Sequence, residues 1–308
     1  MRIVVTGGAG FIGSHVVDAY IAQGHEVFVI DDLSTGERSQ LNPNAVFHQR
    51  DILDPAAAEL LARIAPDVLS LHAAQMDLRR SVAEPLFDAR VNILGLIHLL
   101  EAVKDSKIRK VIFASSGGAV YGEQGTFPAA EDHPTWPLSP YGVSKLAGEL
   151  YLAYYHKTFG IPYVALRYAN VYGPRQRSDG EAGVVAIFIR HLLAGNAPII
   201  NGDGRQTRDY VYIKDVVTAN LLALESSFTG ALNIGTGRET DVLTLFRLLC
   251  EKSGSKVAER HGPPKAGEQR RSSLECARAR DSLGWSARFS LSEGLEETSD
   301  YYRRSMRP

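Results

Sequence analysis

The chain has 308 residues, 44% of them hydrophobic and 22% charged, with a formal net charge of −1. That length suits about two domains with a large buried core, and the near-balanced charge argues against nucleic acid or an anionic membrane as a main partner. No apolar run approaches the ~18 residues of a membrane-spanning helix, MRIVVTGGAG opens as strand and turn rather than export signal, and Cys250 and Cys276 lack C-x-x-C spacing, so a cytoplasmic protein with reduced thiols and no metal site is expected.

In chain order, RIVVTG reads as a first strand and GSHVVDAYIAQG as the helix after it. EVFVID, VFHQRD and DVLSLHAA follow as strands, then the helical PLFDARVNILGLIHLLEAVKDS, then the strands KVIFASS and YVALRYANVYG. Nearly continuous apolar strands alternating with helices imply a parallel sheet covered on both faces. The fold class is therefore α/β, a doubly wound parallel (Rossmann) sheet. Beyond it the regularity breaks into polar, Gly-rich loops (GPRQRSDGEAG, NGDGRQTRDY) and a basic one (RHGPPKAGEQRR). DYVYI and ALNIG are assigned back to the main sheet. The expected organisation is a Rossmann domain of residues 1–168 plus about 209–236, and a smaller, discontinuous C-terminal α/β substrate domain of about 169–208 and 237–308.

The first motif is VVTGGAGFIGSH. Gly8, Gly10 and Gly13 satisfy G-x-G-x-x-G, and Gly7, Gly10 and Gly13 equally satisfy G-x-x-G-x-x-G. Glycines let the backbone turn sharply after the strand and approach a pyrophosphate, which meets the N–H groups opening the helix. Asp31 ends the second strand 18 residues after Gly13. A carboxylate there accepts hydrogen bonds from the adenosine ribose and repels a 2′-phosphate. Asp32 adds a second negative charge, so NAD is expected rather than NADP. The competing account is a glycine turn in an unrelated doubly wound fold.

The second motif is Tyr141-x-x-x-Lys145, in SPYGVSKLAGELYLAYYHKTFG. This spacing puts both side chains on one helical face, where an ammonium favours tyrosinate and lowers the phenol pKa towards the working range. Tyr141 is thus a candidate general acid or base. Tyr210 and Lys214 share the spacing, but DYVYIKD alternates like a strand, which sets the two far apart. The bland account of Tyr141 is an aromatic helix residue at a domain interface.

These motifs, together with DDLSTG, HAAQMDLRRSV, SSGGAVYG, LRYANVYGPRQ, GDGRQTRDYVYIKDV and NIGTG, resemble the extended short-chain dehydrogenase/reductase family over nearly the whole chain. The similarity is to its nucleotide-sugar epimerases, the UDP-glucose (UDP-galactose) 4-epimerases above all. In these a tightly held NAD oxidises the sugar C4 hydroxyl, the 4-keto sugar turns over, and hydride returns to the opposite face. The resemblance implies that Gly7, Gly10, Phe11, Ile12 and Gly13 meet the pyrophosphate. Asp31 and the DDLSTG loop (Asp32, Ser34, Thr35, Gly36) take the adenosine ribose, and Asp51 and Ile52 flank adenine. His72, Ala73, Ala74, Gln75, Met76, Asn92 and Ala169 line the cofactor, with Tyr141 beside it and Lys145 reaching the nicotinamide ribose. It also implies a UDP-hexose as small-molecule substrate and a homodimer paired through the helices around 85–104 and 141–159. The rival class is a non-catalytic NAD-binding regulator on the same fold.

Many of these epimerases read S-S-S-A-T-V-Y-G, and the third serine assists the tyrosine. Gly117 holds that place here, so Ser116 is the candidate hydroxyl, moved there by the flexible Gly117-Gly118 pair. The alternative leaves Ser116 an ordinary strand-end residue and Tyr141 acting alone. The related 4,6-dehydratases and decarboxylases place acids in this stretch, and the two glycines carry no proton for those reactions. By the same resemblance Asn170, Arg208 and Lys265 bind the diphosphate and Glu268 the uridine ribose, cations there offsetting phosphate charge. Lys265 replaces the usual arginine, and Asn201 stands where an aromatic commonly borders uracil. Arg208 has the competing account of a solvated loop charge. Val184 and Val185 are placed near the sugar, and Ser272 corresponds to a gate beside its C2 substituent.

Overall fold

A computed structural model describes residues 1–178, 183–265 and 269–306. Its strands, in chain order, are β1 (Arg2–Thr6), β2 (Glu26–Asp31), β3 (Val46–Gln49), β4 (Val68–Leu71), β5 (Lys110–Ser116), β6 (Tyr163–Tyr168), β7 (Asn170–Tyr172), β8 (Ile199–Asn201), β9 (Thr207–Tyr212), β10 (Gly230–Ile234), β11 (Glu239–Asp241) and β12 (Arg260–Gly262). Seven of them form one sheet in the order β10-β6-β5-β4-β1-β2-β3, and every pair in it is parallel. The strand order reverses between β1 and β4, and ligands of such sheets bind in the crevice at the carboxyl ends beside that point. Register sets what faces the crevice. Thr6 pairs with both Ile30 and Leu71, so Gly7, Asp31 and His72 emerge side by side at one edge.

The pleat sends alternate side chains to opposite faces. Val4, Leu69, Val111 and Phe113 pack with Leu61, Leu99, Leu100 and Leu152 on one face. Ile3, Val5, Ile112 and Val164 pack with Val16, Val17 and Tyr20 on the other, in a core that runs on to Phe188, Phe246 and Trp285. The apolar runs read as doubly covered strands owe their composition to this burial on both faces.

Two expectations from sequence need correction. DYVYI does not return to the main sheet: β9 pairs parallel with β7 and antiparallel with β11. Only β10, carrying ALNI, joins β6, at the edge of the main sheet. Alternation marks a strand without naming its partner. YVALRYANVYG is not one strand either. It breaks at Ala169, whose N–H donates to the Ile234 carbonyl at 2.9 Å, and β7 leaves for the smaller sheet. KVIFASS, by contrast, is strand to Ser116 as read from sequence, and Gly117–Val120 turn at once into a short helix.

Candidate active site

The turn after β1 requires glycine at two places. Gly7 has φ +70°, and a Cβ on it would lie 2.5 Å from the Ala73 nitrogen. A Cβ on Gly13 would lie 2.1 Å from the Gly7 carbonyl oxygen. The backbone of Gly7 to Gly10 therefore lies tight against the 72–73 turn, and the helix Phe11–Ala22 starts directly behind it. Its first N–H groups, those of Phe11, Ile12 and Gly13, lack carbonyls one turn back, as at any helix start, and suit an anion.

Asp31 is buried at the end of β2. Its Oδ2 accepts the Ala9 N–H at 2.9 Å and its Oδ1 the Leu33 N–H at 2.8 Å. Burial raises its carboxyl above the ordinary value against these two bonds. One carboxylate thus ties the glycine turn to the loop after β2, and each oxygen keeps lone pairs for a further donor. Asp32 is exposed and accepts from the Ser34 N–H and hydroxyl at 2.9 and 2.6 Å. Ser34 and Thr35 are exposed, while Gly36 is half-buried against Ala9 and Asp31. Asp51 is exposed, and the buried Ile52 offers its carbonyl to the His98 ring at 2.7 Å.

Beyond β4, His72 bonds Ser70 Oγ at 3.0 Å through Nε2, while its Nδ1 is buried with no partner among the described residues. Burial first, then the Lys145 charge, lower its pKa to about 3, which keeps the ring neutral at pH 7. Ala73 and Ala74 continue the half-buried wall, and Met76 is exposed. Gln75 and Asn92 clasp each other: the Gln75 N–H donates to Asn92 Oδ1 and Asn92 Nδ2 to the Gln75 carbonyl, both at 2.9 Å. Asn92 lies in a π-helical turn, Arg90–Leu94, a distortion frequent at functional sites. Its Nδ2 also reaches Asp88 Oδ1 and Ser144 Oγ, each at 3.1 Å. Sequence gave no signal for Asp88, a lone acid in a helix, yet it is fully buried beside this cluster.

The helix Pro140–Phe159 starts on a Ser139 cap that accepts the Gly142 N–H at 3.2 Å, with proline in its first turn. Tyr141 and Lys145 share a face one turn apart, with Lys145 Nζ 5.8 Å from the Tyr141 ring centre. Nζ donates to the Ala114 carbonyl at 2.9 Å, so the ammonium is pinned to β5. Burial lowers the Lys145 pKa to about 8, opposed by the carboxylates of Asp88 and Glu149. The Tyr141 phenol lies close enough to Ser116 for the serine to influence its titration.

Its pKa corrects an expectation: the lysine does not pull the phenol down. Burial pushes it up to about 12, with Ser116 lowering it and Asp88 raising it. Desolvation of the phenolate outweighs an ammonium that lies beyond the ring and is already bonded to Ala114.

The serines of SSGGAVYG divide by the pleat. Ser115 donates to Glu149, whose carboxylate pairs with Arg167 at 2.7 Å in the buried layer behind β5. Ser116, one residue on, ends the strand near the Tyr141 phenol, whose pKa it lowers. Gly118 lies beside Asn170, with a would-be Cβ 3.7 Å from its Oδ1.

A cavity of about 400 Å³ lies between Asn201, Gln206 and Lys265. Arg208 stands half-buried on β9, donating to the Thr207 carbonyl at 2.7 Å. Val185 is turned into the core, and Val184 is the partly exposed member of the pair. Ser272 is buried, while Glu268 lies outside the described residues. The structure therefore gathers Ser116, Tyr141, Lys145, His72, Asn92 and the glycine turn at one sheet edge. The cavity by Lys265 forms a second group.

The glycine cradle, the helix start, Asp31 and the unpartnered His72 nitrogen fit a dinucleotide laid across this edge. Comparison with known proteins agrees. Residues 3–235 match the NAD dependent epimerase/dehydratase family. The chain is 45% identical over 305 residues to a putative UDP-glucose 4-epimerase of Methanocaldococcus jannaschii, covering 99% of each. It is similar to the crystal structure of a Thermotoga maritima UDP-glucose 4-epimerase with UDP-glucose, with a TM-score of 0.97, 47% identity and 100% of both chains covered. A Thermus thermophilus UDP-glucose 4-epimerase complexed with NAD gives a TM-score of 0.93 and 40% identity over 98% of this chain and 99% of that one.

Proposed function

This chain belongs to the NAD dependent epimerase/dehydratase family, and we propose that within it the chain is an NAD-dependent nucleotide-sugar 4-epimerase, an isomerase interconverting UDP-glucose and UDP-galactose. The observation that carries the reading is the Tyr141 phenol, with Ser116 close enough to lower its pKa, one helical turn from the Lys145 ammonium pinned to the Ala114 carbonyl. A non-catalytic NAD-binding regulator has no use for that arrangement. Bound NAD supplies a hydride acceptor and donor, so that C4 of the sugar passes through a ketone.

The chain's residues do the rest. Tyr141 takes the proton from the C4 oxygen and returns it after the sugar has turned. Ser116 hydrogen-bonds the same oxygen as charge develops on it. Lys145 holds a positive charge near both. A phenol held near 12 by burial needs further positive charge close by to give up its proton at neutral pH, and a cationic nicotinamide is such a charge. Incubation of the purified protein with UDP-glucose, and separately with UDP-galactose, should give one common mixture of the two. A mixture that still depends on the starting sugar after long incubation would rule the activity out.

The glycine turn, Asp31 and its loop, His72 to Met76, Asn92 and Ala169 are the proposed NAD wall. Asn170, Arg208, Lys265, Glu268 and the cavity by Asn201 are the proposed nucleotide end. Because Asp31 and Asp32 place two carboxylates where a 2′-phosphate would lie, NAD should bind at least about tenfold more tightly than NADP. Titration of the apoprotein with both cofactors checks this, and equal affinities would count against it.

With a serine at 272, the sugar site should also accept UDP-N-acetylglucosamine, at a rate within about tenfold of UDP-glucose. Turnover of UDP-galactose with none of the acetylated sugar would refute that. The helices around 85–104 and Pro140–Phe159 present Leu86, Leu94, Val143, Leu150 and Tyr154 to solvent, apolar side chains that a homodimer would cover. Sedimentation should then return twice the 33.7 kDa chain mass, and a single-chain mass at micromolar concentration would exclude it. Among the described residues no helix is long and apolar enough to cross a membrane, which is compatible with the proposed cytoplasmic location.

A further inference from the structure

Gly117 has no room for a side chain. A Cβ there would lie 2.5 and 3.0 Å from the two methyl carbons of Leu274 and 3.1 Å from the Arg167 carbonyl oxygen. Leu274 is fully buried and packs with Val120, Tyr121 and Ala129, that is, against the far end of the turn that Gly117 begins. Its own backbone is held on two sides. The Leu274 N–H donates to Asp209 Oδ2 at 3.2 Å, and the buried Asp209 also collects the N–H groups of Thr236 and Gly237. On the other side the Ser273 N–H donates to Gln124 Oε1 at 3.1 Å, and Ala129 bonds the backbones of Ser273 and Glu275 at 2.9 and 2.8 Å.

We propose that Leu274 is a positioning residue for epimerisation: by filling the space beside Gly117 it fixes the Gly117–Val120 turn and so aims the Ser116 hydroxyl at the Tyr141 phenol. The inference rests on the reading of Ser116 as the assisting hydroxyl. Two successive glycines leave a backbone with wide freedom, and neither has a side chain with which to hold the turn. Leu274 restrains it from outside. The strand-end serine next to this turn must be placed within a fraction of an ångström to stabilise developing charge. Leu274 also lies on the segment that carries Ser272 and follows Lys265, so it links the proposed nucleotide end to the catalytic strand.

The test is a cycle of variants measured on NAD-loaded enzyme, with rates expressed per bound NAD. Leu274→Ala should lower kcat about tenfold or more and change KM by less than about threefold. In the Ser116→Ala background the same change should cost nothing further, because Leu274 acts through that hydroxyl. Gly117→Ala should also slow the enzyme alone, and combining it with Leu274→Ala should restore kcat to within about threefold of the original. Should Leu274→Ala not fold, Leu274→Val is expected to show a smaller fall with the same loss of additivity. A full rate for Leu274→Ala, or losses that multiply with those of a slow Ser116→Ala, would overturn the role of the leucine alone. A full rate for Ser116→Ala would overturn it together with the Ser116 reading.

Discussion

Replacing Tyr141 by phenylalanine is expected to slow turnover by about 10²–10⁴-fold, the usual worth of a positioned proton transfer, while NAD stays bound. The phenyl ring preserves the packing at the start of the helix Pro140–Phe159, so the loss should lie in kcat rather than in folding. Among the described residues, the phenol is the titratable group proposed beside Ser116 to shuttle a proton at the sugar oxygen. Lys145 is engaged with the Ala114 carbonyl, and His72, with its pKa lowered to about 3 by burial and then the Lys145 charge, is a neutral ring at pH 7 and a poor acid. Steady-state rates with UDP-galactose check the prediction, and a variant within threefold of the original would remove Tyr141 from the mechanism.

Ser116→Ala is expected to cost about 10–100-fold in turnover, or about 1.4–2.7 kcal/mol of barrier, again with NAD bound. The neighbouring serine is the control. Ser115 donates to Glu149 in the buried pair with Arg167, so Ser115→Ala should lower stability by about 1 kcal/mol and leave kcat clearly closer to that of the original protein. The contrast separates a hydroxyl placed towards the phenol from one that braces the sheet. A Ser116→Ala variant with unchanged kcat would mean that the tyrosine works with backbone or water alone.

Much of this architecture is legible in the sequence. The run RIVVTGGAGFIG announced its strand, turn and helix because only glycine fits where Cβ atoms would meet the Gly7 carbonyl and the Ala73 nitrogen. The apolar strands announced a sheet buried on both faces. The partner of β9 was not legible, since alternation in DYVYI carries no information about which edge is open. Nor was the break at Ala169, where an uninterrupted apolar pattern crosses from one sheet to another. The direction of the Tyr141 shift escaped for a physical reason: helical spacing reveals the nearby ammonium but not the burial that outweighs it. Asp88 and Leu274 are ordinary residues in sequence. Only folding sets one beside Asn92 and the other against Gly117.

Epimerisation at this site requires that hydride move between the sugar and the bound cofactor. Near-ultraviolet absorbance and fluorescence of reduced nicotinamide in the purified protein test it most directly, with UDP-glucose and UDP-galactose each added in turn. Either sugar should raise the reduced signal on the bound nicotinamide, and Tyr141→Phe should slow the rise by a factor comparable to its loss of turnover. If both sugars bind and are interconverted while the nicotinamide never changes, or if NAD is bound and no sugar reacts, the proposed chemistry is wrong.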